Sequence, residues 1–294
     1  MSDREFFLDR YRDLGHTLSG REKTRKAIRL NSLKAPENII ERLGSLGARL
    51  SKISFLHNGY YIDGSEFSLG ASFEYLMGYY TLQEAASQFV VEVLDPQPGE
   101  SILDTCAAPG IKTSQIAAHM ENKGSITALD INRKRLYVLE NSLERMGVEN
   151  CIAYHGDILE LDLGEQLFDR VVIDAPCSGN YVNDSNWFGK RTLNDVERNS
   201  ENQENFLARG MDLLKPGGVL VYATCSLEPE ENELNIDWLL EYYDAHLETF
   251  EGPGSPGLTQ IFDTTLNSEL VKTMRFWPEE TGTQGFYIAK VVKN

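Results

Sequence analysis

Short apolar runs alternate with amphipathic stretches along the last two thirds of the chain. From residue 101 the runs SILDTC, SITALD, CIAYHGD and FDRVVIDAP predict buried strands, whereas TSQIAAHM and NRKRLYVLENSLERMG predict helices. The helical stretch ENQENFLARGMDLL ends at KPGG, ahead of the strand GVLVYATCS. This alternation predicts an α/β fold with a mainly parallel sheet and helices on both faces, to which the tail GFYIAKVV adds a late antiparallel strand.

A different pattern precedes residue 90. The runs AIRLNSL and RLSKISFLH predict strands, PENIIERLGSLG predicts a helix, and GYYIDG predicts the edge of a hairpin. The segment DPQPGE then interrupts the pattern. We therefore expect a small α/β unit over residues 1–90 and a larger domain over residues 91–294.

Several polar residues stand where the predicted strands end. Asp104, Asp130, Asp157, Asp174 and Cys225 each close an apolar run. Ligands of parallel α/β sheets bind at the carboxyl ends of the strands. These five positions are therefore the first candidates for a functional site.

The loop DTCAAPGIKT follows the first of these strands and contains small residues. It lacks the G-x-G-x-x-G pattern of dinucleotide-binding folds and the G-x-x-x-x-G-K-S/T pattern of a P-loop. Asp130 could accept the hydroxyl groups of a ribose, and Asp157 could accept an adenine amino group. Each aspartate alone could simply cap a helix, but three on successive strand ends favour a nucleoside pocket. An acidic ring of this kind suits S-adenosylmethionine, which carries a sulfonium cation instead of phosphates.

Composition narrows the class of protein. The chain of 294 residues is 41% hydrophobic and 25% charged, and no apolar run reaches the roughly 20 residues that span a bilayer. Its four cysteines include no Cys-x-x-Cys pair, so we expect neither a metal site nor a disulfide framework. We expect a cytoplasmic protein with reduced thiols and no membrane partner.

The net charge of −17 argues at first against a nucleic-acid partner. The charge is unevenly distributed, however, because residues 1–60 hold 12 basic and 7 acidic residues, against 16 and 38 in the remainder. The stretch GREKTRKAIR holds five basic residues: Arg21, Lys23, Arg25, Lys26 and Arg29. Charge alone leaves open whether this cluster contacts RNA or is a solvated helix face.

The motifs resemble those of one family. DTCAAPGIKT, Gly156–Asp157, DAPCSG and YATCS occur in the order and spacing of the Sun/Fmu-type RNA 5-methylcytosine methyltransferases. The resemblance extends to IRLNSLK, YTLQEAASQ, LLKPGG and RFWPEETGTQGFYIA, and so covers roughly residues 20–292.

The resemblance implies a Rossmann-like methyltransferase domain preceded by a small RNA-recognition-like α/β unit. It also implies the residues that contact S-adenosylmethionine: Cys106, Ala107, Ala108, Pro109, Gly110, Ile111, Lys112, Asp130, Arg135, Asp157 and Asp174. Two segments depart from the family pattern. Ile111 replaces a glycine of A-P-G-G-K-T, so we expect Ile111 to adopt an ordinary backbone conformation. The stretch NYVNDSNWFGKR is polar and acidic where the family commonly has glycine and arginine.

Cytosine carbon 5 is a weak nucleophile, and a thiolate that adds to carbon 6 activates it. Chemistry alone does not decide between Cys177 and Cys225, because the attacking thiol of DNA cytosine enzymes follows a proline, as Cys177 does. The resemblance assigns the attack to Cys225 and the breakdown of the adduct to Cys177. Asp174 follows an apolar strand, so we expect burial to favour its neutral form as a proton donor near cytosine nitrogen 3. By resemblance, Lys112 also points towards the active site.

We therefore expect an RNA cytosine-C5 methyltransferase that acts as a monomer. The target base must be unpaired or flipped out, and the basic cluster would contact RNA phosphates. We expect tRNA as the substrate, because the chain has no additional RNA-binding domain. Two alternatives remain open: a ribosomal RNA methyltransferase, and a non-catalytic RNA-binding assembly factor.

Overall fold

A computed structural model describes residues 2–161 and 167–294 of the chain. Its α-helices are α1 (Asp3–Asp13), α2 (Ile39–Ser45), α3 (Phe73–Leu76), α4 (Ala85–Leu94), α5 (Ile111–His119), α6 (Arg133–Met146), α7 (Leu193–Leu213), α8 (Glu233–Tyr242) and α9 (Pro278–Thr281). Its strands are β1 (Ala27–Leu30), β2 (Ala48–Lys52), β3 (Gly59–Ser65), β4 (Tyr80–Leu82), β5 (Ser101–Asp104), β6 (Ser125–Asp130), β7 (Cys151–His155), β8 (Phe168–Asp174), β9 (Leu214–Thr224), β10 (Ala245–Leu247), β11 (Ser255–Pro256), β12 (Gln260–Ile261), β13 (Thr264–Thr265), β14 (Met274–Phe276) and β15 (Phe286–Lys293).

The chain divides into two units. The central unit is Arg25–Val172, and the terminal unit joins Met1–Thr24 to Ile173–Asn294. Strand β8 carries the chain from the central to the terminal unit. No α-helix in the described part of the chain is both long and apolar enough to cross a membrane.

The central unit contains two kinds of sheet. Its N-terminal part is a four-stranded antiparallel sheet in the order β2-β3-β1-β4. Its second part is parallel: β6 pairs with both β5 and β7, and β5 also pairs with β8. The predicted α/β class with parallel strands is therefore confirmed.

Local signals explain where the elements of the parallel part begin and end. Helix α6 starts at the N-cap Asn132, whose side chain accepts hydrogen bonds from two backbone N–H groups, and ends at Gly147 in the left-handed conformation. Both residues bound the helix that the sequence predicted. Strand β7, however, is half-exposed or exposed along its length, as expected for the outer strand of the parallel set.

Two details of the antiparallel sheet differ from the prediction. Strand β3, expected at a hairpin edge, pairs with both β2 and β1 and is therefore internal. Strand β1 ends at Leu30, whereas the predicted strand AIRLNSL continues through Leu33. The cause is Asn31, whose side-chain amide donates to the carbonyl groups of Gly78 and Met146, while its side-chain oxygen accepts from the Leu33 backbone N–H. These bonds turn the chain away from the strand direction.

The terminal unit is built around β9. Strand β15 pairs antiparallel with β9, and β14 and β10 pair with β15, which confirms the predicted antiparallel tail. Helix α7 is longer than predicted because it begins at a capping box between Thr192 and Asp195. Helix α1 belongs to the same unit, where Phe7 packs edge-on against Trp187 with ring centroids 4.7 Å apart.

Candidate active site

The terminal unit brings the two predicted catalytic cysteines into contact. Cys177 lies in the loop after β8, and Cys225 directly follows β9. The Ala175 backbone N–H donates to the Ala223 carbonyl over 2.9 Å, so the two strand ends lie side by side. The sulfur atoms of Cys177 and Cys225 are 3.2 Å apart. The motif pair DAPCSG and YATCS thus forms one site.

A buried carboxylate joins these two loops. Glu231 accepts hydrogen bonds from the Ser178 backbone N–H at 2.8 Å and from the Ser178 hydroxyl at 2.5 Å. The Ser178 hydroxyl also lies 3.2 Å from that of Ser226, the residue after Cys225. On the other side, the Asn180 side-chain amide donates to the Cys225 carbonyl over 2.8 Å. Both cysteines are therefore flanked by residues that are tied to the opposite loop.

The contact between the two sulfur atoms affects the protonation of Cys177. The hydrogen bond with Cys225 and burial raise the pKa of the Cys177 thiol well above its ordinary value. At neutral pH Cys177 is therefore a thiol and can donate its hydrogen to the sulfur of Cys225.

Asp174 ends β8, three residues before Cys177. Its side chain is half-buried, whereas the three preceding strand residues Val171, Val172 and Ile173 are fully buried. The carboxyl group is therefore only partly withdrawn from water, which is less burial than the apolar run suggested.

The predicted cofactor loop lies in the central unit and is shaped by its backbone. The Ala107 N–H donates to the Leu129 carbonyl over 2.8 Å, and the Gly110 N–H donates to the Ala107 carbonyl over 2.7 Å. Gly110 takes the positive φ of 93° and forms the N-cap of α5, so Ile111 is an ordinary first helical residue, as predicted. A Cβ atom at Gly110 would approach Leu139 Cδ1 to 2.9 Å, so the tight turn also requires a glycine there.

Asp130 and Arg135 hold this loop. The Asp130 side chain is buried and accepts from the Ala108 N–H at 3.3 Å and from the Asn132 N–H at 2.8 Å. Arg135 pairs with Asp130 at 3.4 Å and donates to the Ala108 carbonyl. The helix cap is Asn132, so Asp130 itself is not the cap of α6.

The remaining predicted cofactor residues lie in the same unit. Asp157 follows β7, and its side chain accepts from the Leu159 N–H at 3.0 Å. Cys106 and Lys112 are both half-buried, in the loop and in the first turn of α5. Small loop residues and carboxylates at adjacent strand ends form a donor and acceptor set that fits the adenosyl group and sulfonium cation of S-adenosylmethionine.

The basic cluster does not form a single exposed surface. Arg21, Lys23, Arg25 and Lys26 are exposed, and Arg25 pairs with Asp63 at 2.9 Å. The expectation that Arg29 contacts RNA phosphates is wrong, because its side chain is only 3% exposed.

Arg29 instead links the antiparallel sheet to α5. Its guanidinium donates to the Gln83 side chain, the Ile111 carbonyl, the Ser114 hydroxyl and the Gln115 side chain, at 2.8 to 3.0 Å. Burial lowers its pKa to about 9, so it stays protonated at neutral pH. Arg29 therefore supports the first turn of the helix that follows the cofactor loop.

Helix α1 contacts the segment after Cys225, and the sequence did not indicate this. Arg10 pairs with Glu228 at 3.2 Å and with Glu230 at 2.5 Å, and the Tyr11 hydroxyl donates to Glu228 over 2.6 Å. Burial raises the pKa of Glu228 to about 7, against the opposing effect of Arg10. The acidic run LEPEEN directly after TCS was the only sequence signal for these contacts and for Glu231.

The fold is that of a class I methyltransferase. Residues 91–292 match the family described as 16S rRNA methyltransferase RsmB/F, and residues 4–85 match the N-terminal domain of 16S rRNA methyltransferase RsmF. The chain therefore belongs to the RsmB/F family of S-adenosylmethionine-dependent RNA cytosine-C5 methyltransferases. The family indicated by the motifs is confirmed.

Similar proteins span both substrate classes. The tRNA (cytosine(49)-C(5))-methyltransferase of Pyrococcus abyssi is 38% identical over 92% of this chain and 88% of its own. The 28S rRNA (cytosine-C(5))-methyltransferase of Mus musculus is 37% identical over 90% of this chain, which spans only 35% of that protein.

Two solved structures match over most of their length. A methyltransferase homologue from Pyrococcus horikoshii has a TM-score of 0.86 at 35% identity, with 98% of both chains covered. NSun6 from the same organism, solved with the S-adenosylmethionine analogue SFG, has a TM-score of 0.81 at 25% identity and covers 93% of this chain and 92% of its own. The predicted cofactor is therefore confirmed.

The placement of Arg29 leads to a stability prediction. Arg29→Lys should lower the free energy of unfolding by about 1–3 kcal/mol, because one ammonium group cannot make all four hydrogen bonds. Urea unfolding measures the effect, and the exposed Arg25→Lys is the matched control. Equal stability of the two variants would contradict the structural role of Arg29.

The raised pKa of Glu228 leads to a pH prediction. On folding, the pKa of Glu228 rises from 4.5 to about 7, so the folded protein binds this proton more tightly than the unfolded chain does. The resulting contribution to the free energy of unfolding is present at low pH and is lost as the pH rises through that window. Glu228→Gln cannot titrate. Between pH 5 and pH 8 its free energy of unfolding should therefore rise relative to the natural protein by about 2 kcal/mol.

Chemical unfolding at both pH values measures this change. Glu230→Gln, which removes the other carboxylate paired with Arg10, is the control and should show a smaller change. A stability difference for Glu228→Gln that does not vary with pH would count against the assignment.

Proposed function

We propose that the chain methylates carbon 5 of a cytosine in tRNA through a covalent bond between Cys225 and carbon 6 of the base. The observation that carries the proposal is the 3.2 Å contact between the sulfur atoms of Cys177 and Cys225, together with the raised pKa of Cys177. The raised pKa supports Cys177 as the proton-bearing partner in this pair. It agrees with the roles that the motifs imply.

The reaction begins at Cys225. Its thiolate adds to carbon 6, while Asp174 donates a proton to nitrogen 3, so that carbon 5 gains enamine character. The bound cofactor supplies an electrophilic methyl group, which carbon 5 takes. The cofactor would be held by Cys106 to Lys112, Asp130, Arg135 and Asp157. Asp174 would contact it as well, and Lys112 would face the reacting groups.

Release of the product requires the opposite electron flow. The C5–H bond breaks and its proton passes to a base or to water, while its electron pair restores the double bond between carbons 5 and 6. The bond from carbon 6 to sulfur breaks, the sulfur leaves with the electron pair of that bond, and the proton on nitrogen 3 returns to Asp174. Cys177 assists this step because its S–H group can donate to the departing sulfur of Cys225. The Cys177 thiol therefore acts in the release of the product and not in the attack on carbon 6.

Several observations favour tRNA over the alternatives. The Pyrococcus abyssi relative named for tRNA is covered over 88% of its length, whereas the mouse relative named for 28S rRNA is covered over 35%. A ribosomal RNA substrate is the second candidate, since the matching family is described for 16S rRNA. The intact cysteine pair argues against a non-catalytic assembly factor.

The contact with RNA rests on the exposed basic residues. Arg21, Lys23, Arg25 and Lys26 remain the proposed phosphate contacts, without Arg29. Five further expectations stay predictions. Two concern the domains, namely an RNA-binding unit over residues 1–90 and a methyltransferase domain over residues 91–294. The others are a monomeric state, a cytoplasmic location and independence of metal ions.

The two cysteines should give opposite defects. Cys225→Ala should lower methylation by about 10³-fold or more, because the nucleophile is absent, and should form no covalent adduct with RNA that contains 5-fluorocytosine. Cys177→Ala should form the adduct but release product slowly, so that denaturing gels show protein retained on natural RNA.

Cys151→Ala provides a control for these variants. Burial raises the pKa of Cys151 to about 12, and it lies in β7 outside the cysteine pair. We expect Cys151→Ala to keep normal turnover. Normal turnover in Cys177→Ala without a trapped adduct would contradict the release role.

Bisulfite sequencing of total RNA tests the substrate. A strain that lacks the gene should lose a methyl group from cytosine in tRNA, and the natural gene should restore it, whereas a gene carrying Cys225→Ala should not. Loss confined to ribosomal RNA would replace tRNA by the second candidate. No loss in either RNA would contradict the proposed function.

A further inference from the structure

A cleft of about 330 Å³ opens in the central unit, outside the cysteine pair. It is bordered by β4, by the first residue of α5 and by one face of α6. Leu82, Ile111 and Val138 provide apolar walls, and Leu82 and Val138 are 39% and 52% exposed at the rim. The volume lies at the lower end of the range for small-ligand sites and suits a single flat ring with its substituents.

Three polar residues are among those that line this cleft: Thr81, Asn141 and Ser142. Thr81 is only 3% exposed, Ser142 is half-buried and Asn141 is exposed. An amide and two hydroxyls are groups that read the edges of nucleobases.

The cleft carries a positive charge on an acidic protein. Arg145 is the one charged residue among those that line it, in a chain with a net charge of −17. Its guanidinium lies 4.4 Å from the centre of the Tyr75 ring and donates to the Tyr75 carbonyl over 2.7 Å. These contacts fix a cation beside an aromatic ring. That arrangement attracts a phosphate and provides a face on which a base can stack.

We propose that this cleft binds one unpaired nucleotide of the RNA substrate, distinct from the methylated cytosine. The inference rests on the proposed function, which places the methylated base at Cys225 in the terminal unit. Apolar walls, an amide, two hydroxyls and a single cation match a nucleotide better than an apolar peptide, which offers neither a phosphate for Arg145 nor polar edges for Thr81 and Asn141.

Ile111 gives this cleft a feature of its own. The motif family usually has a glycine at this position of the cofactor loop, whereas here the Ile111 side chain forms one of the apolar walls. The nucleotide would therefore contact the first residue of α5, directly after the turn at Gly110. The departure from the family pattern becomes a determinant of which base this chain accepts.

Val138→Trp tests the proposal by filling the cleft from its exposed rim. The KM for RNA should rise at least tenfold, because stacking and charge contacts of one nucleotide are lost. The kcat and the affinity for S-adenosylhomocysteine should stay within twofold of the natural protein. Tyr137→Trp is the matched control, since Tyr137 is the exposed neighbour on α6 that does not line the cleft.

A second variant keeps the test decisive if tryptophan disturbs folding. Asn141→Ala removes one amide at an exposed position and should raise the KM for RNA about fivefold without lowering the melting temperature. An unchanged KM in folded Val138→Trp and in Asn141→Ala, with methylation intact, overturns the cleft assignment.

Other outcomes also overturn it. Weaker S-adenosylhomocysteine binding at an unchanged KM for RNA would assign the cleft to the cofactor. Binding of free nucleoside 5′-monophosphates that Val138→Trp abolishes, again at an unchanged KM for RNA, would assign it to a small-molecule ligand. Failure of the proposed function is distinguishable from these results, because the natural protein would then methylate no RNA at all.

Discussion

One buried carboxylate determines the geometry of the cysteine pair. Glu231 binds the residue after Cys177 through two hydrogen bonds, and Gln203 of α7 donates to the same carboxylate over 3.2 Å. The backbone carbonyl of Glu231 accepts from the Tyr222 hydroxyl over 2.6 Å, three residues before Cys225. The loop after β8, the end of β9 and α7 therefore meet at one residue. Removing it would leave several polar groups in the interior without partners.

The neighbouring acidic residues are arranged by the same physical rule. Glu228 and Glu230 share Arg10, whereas Glu231 accepts from neutral donors that include the Ser178 backbone and hydroxyl and the Gln203 side chain. Buried carboxyl groups need such partners because burial alone makes their charge unfavourable, and burial raises the pKa of both Glu228 and Glu231. Through this arrangement α1 is connected to the segment that follows Cys225.

The sequence predicted the features that depend on local pattern. The prediction failed for residues whose surroundings are determined by distant parts of the chain. Strands, helix ends and the DAPCSG and YATCS motifs follow from periodicity, capping residues and chemical type, so they were recognised. Arg29 was misassigned because it closes a basic run. Its burial follows from its place in β1, between β3 and β4, with Ser114 and Gln115 of α5 as partners. Glu231 and Arg10 were missed because the residues that they bond to lie far away in the sequence.

The terminal unit joins two segments that are far apart in the sequence, and this affects the order in which it can fold during synthesis. Its first part, residues 1–24, leaves the ribosome before any of residues 173–294 exists, yet α1 finds Glu228 and Trp187 there. Until then Phe7 and Tyr11, which are buried in the folded protein, have no native surface to pack against. Contacts across such long sequence separations form slowly. The loop that contains Cys225 therefore reaches its final form only after residues 173–294 have been made and have met α1.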